Sequence, residues 1–193
     1  MSATRPIKNG QTLEKFKNYY LSVKPNIRNY ALIIMGLNTA FRISDLLQLQ
    51  WEDVYLEKEK EFREHISVME QKTGKERMVA MNTAARKVLT QFRESGPEPS
   101  DTDYLFASQK NRRRPISRYQ AYRIVREAAA NTGLEAHISC HSLRKTFGYH
   151  AWKQGVPPAM LMDLYNHSSY GITKRYLCIE QDDKDQVYRN LNL

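Results

Sequence analysis

The sequence is poor in the residues that staple or ligate small proteins. It has two cysteines, Cys140 and Cys178, in 193 residues, which gives neither a disulfide framework nor the spacing of a metal site. A reduced, cytoplasmic setting is expected. Long hydrophobic runs are missing too. The longest, around Ala31 to Leu37, falls well short of the roughly 20 apolar residues that span a bilayer. The N-terminus does not read as a secretory signal, because Arg5, Pro6 and Lys8 lead into a polar helix. No internal repeat and no low-complexity tract occurs.

Acidic residues are also in short supply. Thirty lysines and arginines face 21 acids, a formal charge of +9. That balance suits a polyanionic partner, most simply nucleic acid. Many basic proteins bind no nucleic acid, so charge alone leaves both readings open and the motifs must decide. Hydrophobic residues at 41% and aromatics at 10% suffice for a packed core, and the length is that of one domain. We divide the chain into an N-terminal arm over 1–10, a domain over 11–180 and a C-terminal tail over 181–193.

Read in order, Thr12 to Val23 has the pattern of a polar-faced helix. Pro25 opens a second, which Ile27, Tyr30, Leu32, Ile33, Ile34 and Leu37 mark as buried. The segment Thr39 to Val54 brings Arg42 into a short amphipathic helix, with Asp45 placed i, i+3 to hold its guanidinium. His65–Met69 and Arg77–Met81 alternate as strands around a Thr73-Gly74 turn. Asn82 caps a helix through Phe92, and Ser117 caps another from Arg118 to about Ala130, which Gly133 ends. Between them lies the densest basic run, Gln109 to Arg114, which reads as a phosphate-contacting or a merely solvated loop. Arg118, Arg123 and Arg126 can touch a nucleic-acid backbone from the helix that follows.

The stretch from His141 to Tyr176 holds the densest chemistry. His141 and Arg144 share one helical face, and Gly155-Val156-Pro157-Pro158 breaks that helix. After a second short helix, His167, Ser168 and Ser169 form a turn, and Tyr176 follows nine positions past His167. Two histidines, an arginine and a tyrosine in so short a span suggest a site that binds an anion and holds a nucleophile. His65, His137 and His150 read as ordinary surface or core histidines.

This order of parts resembles the catalytic end of the tyrosine recombinase (phage integrase) family: H-x-x-R, a G-V-P break, H-S-S and a tyrosine, preceded by the Arg42 box and the hairpin tip EQKTGKER. The resemblance covers most of the chain. It implies a mostly helical α+β catalytic domain with a small antiparallel three-stranded sheet. It implies site-specific cleavage and rejoining of double-stranded DNA through a 3′-phosphotyrosine, without metal or ATP, by a homo-oligomer on DNA that forms a tetrameric synapse. Carried over residue by residue, Tyr176 is the nucleophile and Arg42 and Arg144 bind the phosphate. His141 is the acid/base and His167 a phosphate ligand. Lys72, on the strand before the hairpin turn, is the leaving-group acid, with Lys75 its rival at the tip. Tyr165 and Tyr170 are rival tyrosines that the spacing disfavours. DNA contacts fall to Lys75, Arg112, Arg113, Arg114, Arg118 and Arg123, and the tail docks on its own domain or on a neighbouring protomer.

Two features depart from the family pattern. Asn166 precedes His167 where the family usually has glycine. Only roughly twenty residues precede the first core helix, so the usual N-terminal core-binding domain is expected to be missing, as in a minimal recombinase or a fragment of a longer protein. A type IB topoisomerase has the same residue roles, and a DNA-binding regulator with a relic site is the alternative outside enzymes.

Overall fold

The computed structural model describes residues 4–134 and 137–191. Helix α1 (Gly10–Asn18) starts where Asn9 accepts from the Thr12 amide and passes into a π-helical turn over Tyr19–Val23. The expected helix from Thr12 therefore begins earlier and changes pitch in its second half. Helix α2 (Ile27–Thr39) is capped by the Asn26 side chain and is buried along most of its length. A short α3 (Ile43–Leu46) follows. Next come the small strands β1 (Tyr55–Leu56) and β2 (Glu61–Phe62), and the longer pair β3 (His65–Met69) and β4 (Glu76–Ala80). Helix α4 (Thr83–Glu94), capped by Asn82 as expected, packs on α2.

Beyond it, β5 (Ala107–Ser108) and β6 (Asn111–Pro115) form a hairpin. Ser117 caps α5 (Arg118–Ala130) as expected. The C-terminal third is helical: α6 (Cys140–Lys153), α7 (Pro158–Tyr165), α8 (Tyr170–Tyr176) and α9 (Gln181–Asn190).

The expected three-stranded sheet is not formed. Among the described residues the strands make three separate antiparallel pairs, β1 with β2, β3 with β4 and β5 with β6. The reason lies in the lengths. β2 is two residues long before the chain turns at Arg63 and Glu64 into β3, which spends its ladder on β4, from His65↔Ala80 to Met69↔Glu76. The neighbouring loop is tied down by isolated bonds instead, as when the Leu105 amide donates to the Leu49 carbonyl at 2.7 Å.

One core runs from Ile7 and Phe16 through α2, α4 and α5 to Leu143 of α6, and a smaller one joins Leu161, Tyr165, Leu177 and Ile179. The arm lies along α6: the Ile7 amide donates to Thr146 Oγ1 at 2.9 Å and Lys145 Nζ donates to the Thr4 carbonyl at 2.6 Å. Helix α9 docks on the same side, because buried Asp183 accepts from Tyr149 Oη and pairs with Lys8 at 2.7 Å. Its apolar residues Val187 and Tyr188, with Leu191 just beyond it, stay exposed. No helix among the described residues is long and apolar enough to cross a membrane.

Two glycines let helices approach closely, Gly36 where α2 meets α6 and Gly148 where α6 meets the smaller cluster. A Cβ on Gly36 would lie 2.6 Å from Leu143 Cδ1, and one on Gly148 would lie 2.4 Å from Tyr165 Oη and 2.6 Å from Leu177 Cδ2. Gly148→Ala therefore forces α7 and α8 away from α6. It is expected to lower the unfolding free energy by about 1–3 kcal/mol, the usual cost of overpacking. Denaturant titration checks this, and an unchanged or raised midpoint would contradict it.

Candidate active site

Helix α2 ends in a conformation that creates the site. Ala40 follows it at φ 51°, ψ 24°, left-handed, a state that costs a residue with a Cβ about 1–2 kcal/mol. Its carbonyl is thereby turned inward. Arg144 Nη1 donates to that oxygen, and Arg77 Nη1 also donates to it at 3.3 Å. Arg42 stands two residues beyond, at the N-cap of α3.

Arg42 has the expected partner at the edge of ion-pair distance and a closer one besides. Its Nη1 lies 3.9 Å from Asp45 Oδ2 and 2.7 Å from Glu70 Oε1. Asp45 also fixes the backbone, its Oδ1 accepting from the Gln71 amide at 3.1 Å. The spacing i, i+3 made Asp45 the near candidate, but the hairpin brings Glu70 closer. The contact is one of charge rather than an aligned hydrogen bond, since buried Nη1 of Arg42 has no hydrogen-bond partner among the described residues.

Lys72 is not on a strand. β3 ends at Met69, and the turn begins at Glu70, whose amide donates to the Lys75 carbonyl at 2.9 Å while its carbonyl accepts from Gly74 at 2.8 Å. Gly74 supplies the required φ of 65°. Lys72 and Lys75 are both exposed on this turn, and the Lys72 charge is felt at His141.

Helix α6 carries His141 in its first turn and Arg144 one turn on, 4% exposed. The Arg144 guanidinium lies over the Tyr165 ring, 4.6 Å from its centroid, a favourable cation–π arrangement. Tyr165 Oη in turn donates to the Arg144 carbonyl at 2.7 Å. With that hydroxyl engaged and the side chain buried, Tyr165 is no rival nucleophile, and burial pushes its phenol far above the ordinary range.

After α7, Asn166 takes φ 54°, ψ 49°. This is the left-handed geometry that glycine adopts and asparagine tolerates, so the departure from the family pattern leaves the turn intact. His167 follows, with Nδ1 3.0 Å from Thr173 Oγ1 of α8. Tyr176 ends α8 with its ring 5.2 Å from both His167 and Tyr165. Lys145 Nζ lies 5.1 Å from the centre of the Tyr176 ring.

The electrostatics follow from this crowding of cations. Burial raises the Tyr176 phenol, while Arg144, Arg42 and Arg77 act against it and do not fully offset it. The nucleophile candidate is therefore protonated at neutral pH. His141 is depressed by burial and then by Lys145, Arg144, Arg42 and Lys72. His167 is depressed by burial and then by Arg144 and Arg42. Both imidazoles are neutral at physiological pH and able to accept a proton. Burial and then the Arg144 charge lower Arg77, whose guanidinium shares the Ala40 carbonyl with that of Arg144.

Five residues expected from the sequence, Arg42, His141, Arg144, His167 and Tyr176, are thus brought together, while Lys72 stays on the exposed turn with its charge felt at His141. Glu70 and Arg77 join them unannounced. Of the other basic residues, Arg118 Nη2 reaches Gln71 Oε1 of the turn at 3.3 Å. Arg112 and Arg113 lie 3.6 and 3.8 Å from Asp103 on the β5–β6 hairpin, and Arg123 acts on Glu127. Arg126 is turned inward, donating to the Ile138 carbonyl at 3.4 Å.

Comparison with known proteins agrees with this arrangement. The model of the phage integrase family matches residues 10–182. The chain belongs to the phage integrase family. Among its relatives is a probable integrase/recombinase, YoeC of Bacillus subtilis (strain 168), 39% identical over 189 residues, with 98% of this chain and 97% of that protein covered. The type 1 fimbriae regulatory protein FimE of Escherichia coli (strain K12) is 30% identical over 152 residues, with 77% of this chain and 73% of that protein covered. The solved structure of XerA recombinase shares the fold at a TM-score of 0.76 and 22% identity, covering 98% of this chain and 65% of that one. A lambda integrase dimer bound to a core site shares it at 0.67 and 18%, covering 92% and 60%. This phage integrase domain accordingly spans about two thirds of those solved chains.

The two depressed histidines set a pH dependence of stability. Unfolded, they protonate near about 6.5; folded, they do so only at lower pH. The unfolded chain binds more protons in that window, so stability rises with pH. The unfolding free energy is expected to fall as pH drops from about 7 to about 5. His141→Gln combined with His167→Gln is expected to flatten that segment. A double variant with the original slope, measured by denaturant titration at each pH, would contradict it.

Proposed function

We propose that this phage integrase protein cleaves and rejoins DNA at specific sites through Tyr176. A phosphodiester is already anionic, and its transition state gathers more charge on the non-bridging oxygens. Arg42 and Arg144 donate to those oxygens in fixed planar geometry. His167 donates a hydrogen bond to the same phosphate. Tyr176 Oη attacks phosphorus as its proton passes to His141. The bond from phosphorus to the 5′ oxygen breaks, and Lys72 protonates that oxygen as it leaves. The products are a 3′-phosphotyrosyl link and a free 5′-hydroxyl. A 5′-hydroxyl from another strand then reverses the step, and no nucleotide is consumed because the link retains the bond energy.

The observation that carries this reading is the place of Tyr176: at the end of α8, against His167, in the field of Arg144, Arg42 and Arg77. Family membership and the likeness to YoeC along nearly the whole chain support it. Double-stranded DNA is the partner, and Lys75, Arg112, Arg113, Arg114, Arg118 and Arg123 contact its backbone in a salt-dependent way. The protein assembles as an oligomer on its site, as the lambda integrase dimer does on its core site. We assign residues 11–180 as the catalytic domain and 181–193 as a tail that gives up the contacts of its Asp183 with Tyr149 and Lys8 to dock on a neighbouring protomer during assembly.

Incubation with nicked DNA from around its own gene tests the reading. Tyr176→Phe is expected to abolish the covalent adduct while DNA affinity stays within about threefold, because only a hydroxyl at the reacting atom is lost. Tyr170→Phe is expected to form the adduct. Adducts from Tyr176→Phe, or their loss in Tyr170→Phe alone, would overturn the assignment of the nucleophile.

A further inference from the structure

Glu70 is out of place by charge. The charged groups against its carboxylate are both cations, Arg42 and Arg77. A carboxylate among them weakens the hold on a phosphate, and a buried carboxylate is costly unless paired. Glu70 is nonetheless 6% exposed. No feature of the sequence reading assigns it a task.

Its contacts divide cleanly between its two oxygens. Oε1 lies 2.7 Å from Arg42 Nη1 and 3.5 Å from Arg77 Nη1. Oε2 accepts from Thr73 Oγ1 at 2.7 Å. The backbone of the same residue closes the turn, donating to Lys75 and accepting from Thr73 at 3.3 Å and Gly74 at 2.8 Å. Lys72 sits inside that loop, between Glu70 and Thr73. One side chain therefore holds a phosphate-binding arginine with one oxygen and the lysine-bearing turn with the other.

We infer that Glu70 is a positioning residue that couples Arg42 to the turn carrying Lys72, so that the phosphate clamp and the leaving-group acid are set together. The inference rests on the phosphotyrosine reading for the roles of those two residues. The carboxylate is charged in the working range. Burial alone would raise it, but the close Arg42 guanidinium, the Thr73 hydroxyl bonded to it and the charge of Arg77 outweigh that and hold it below the usual carboxylate range. Coupling does not require Glu70 to touch DNA. It requires only that the turn lose its register when the carboxylate is removed. A residue that merely braced the fold would instead lower overall stability and slow every substrate alike.

The test compares Glu70→Ala and Glu70→Gln with the unaltered protein in two measurements. The first is single-turnover cleavage of nicked DNA whose 5′-bridging atom is oxygen or sulfur, since sulfur leaves without a proton. With oxygen, Glu70→Ala is expected to be slower by about tenfold to hundredfold, the scale of a misplaced catalytic group. DNA affinity is expected to be unchanged or tighter, because a negative charge has gone. With sulfur, a substantial part of the loss is expected to be recovered. The second is amide hydrogen exchange of the free protein. Gly74 and Lys75 are expected to exchange faster in both variants while the amides of α6 keep their protection. Glu70→Gln keeps the shape of the side chain and carries the same comparison if the alanine variant does not fold. Rates within about threefold of the original on both substrates, or no recovery with sulfur, would overturn the inference, as would unchanged exchange at the turn. A parent protein that forms no adduct would sink the phosphotyrosine reading, and the exchange measurement would still decide the coupling.

Discussion

A buried guanidinium without a carboxylate partner is the constraint on which this structure turns. Arg144 is 4% exposed, and among the described residues no acid lies within ion-pair distance of it. Taking such a charge out of water costs several kcal/mol unless something nearby offsets it. The fold offers the carbonyl of Ala40 and the face of Tyr165. Both are dipolar and neither is an anion. An anion arriving from outside would offset what remains, which is the part proposed for the DNA phosphate.

The neighbouring features serve that one group. Ala40 accepts a left-handed backbone so that its oxygen faces inward. Tyr165 spends its hydroxyl on the Arg144 carbonyl and its ring on the guanidinium, and then supports His167 and Tyr176 on its other contacts. Gly148 has no side chain where Tyr165 must approach α6. Glu70 places negative charge next to Arg42 and Arg77 rather than next to Arg144. The acid is thus kept from quenching the guanidinium that lies nearest the tyrosine.

What was legible in the sequence was what local period determines. The i, i+3 pair His141 and Arg144 lies on α6, the glycine-proline break ends that helix, and the caps at Asn82 and Ser117 hold. Tyr176 falls beside His167 because Thr173, one turn earlier on α8, is bonded to that histidine. Long-range partners were missed. Asp45 was the obvious mate for Arg42 by spacing, yet the β3–β4 ladder carries Glu70 in from elsewhere. The signal for Glu70 and Arg77 was nevertheless present. Ile66, Val68 and Glu70 alternate on one face of the hairpin, and Arg77 and Val79 pair with that face. Charged residues at inward positions of an otherwise apolar face mark a site rather than a solvated edge. The sheet was over-read for a related reason: alternation identifies strands but not whether a third one lies within reach of the ladder.

Arg144→Lys separates the two jobs given to this side chain. Lysine keeps a positive charge but has no planar fork to bond Ala40 and lie over Tyr165 while still donating to a phosphate. The decisive quantity is the single-turnover rate of covalent adduct formation on nicked DNA, measured for a variant shown to be folded. A fall of about 10²-fold or more is expected, the scale of losing one donor to a developing oxyanion. A rate within about tenfold of the original would mean that charge alone suffices, and that the buried, bonded guanidinium is not the centre of the site.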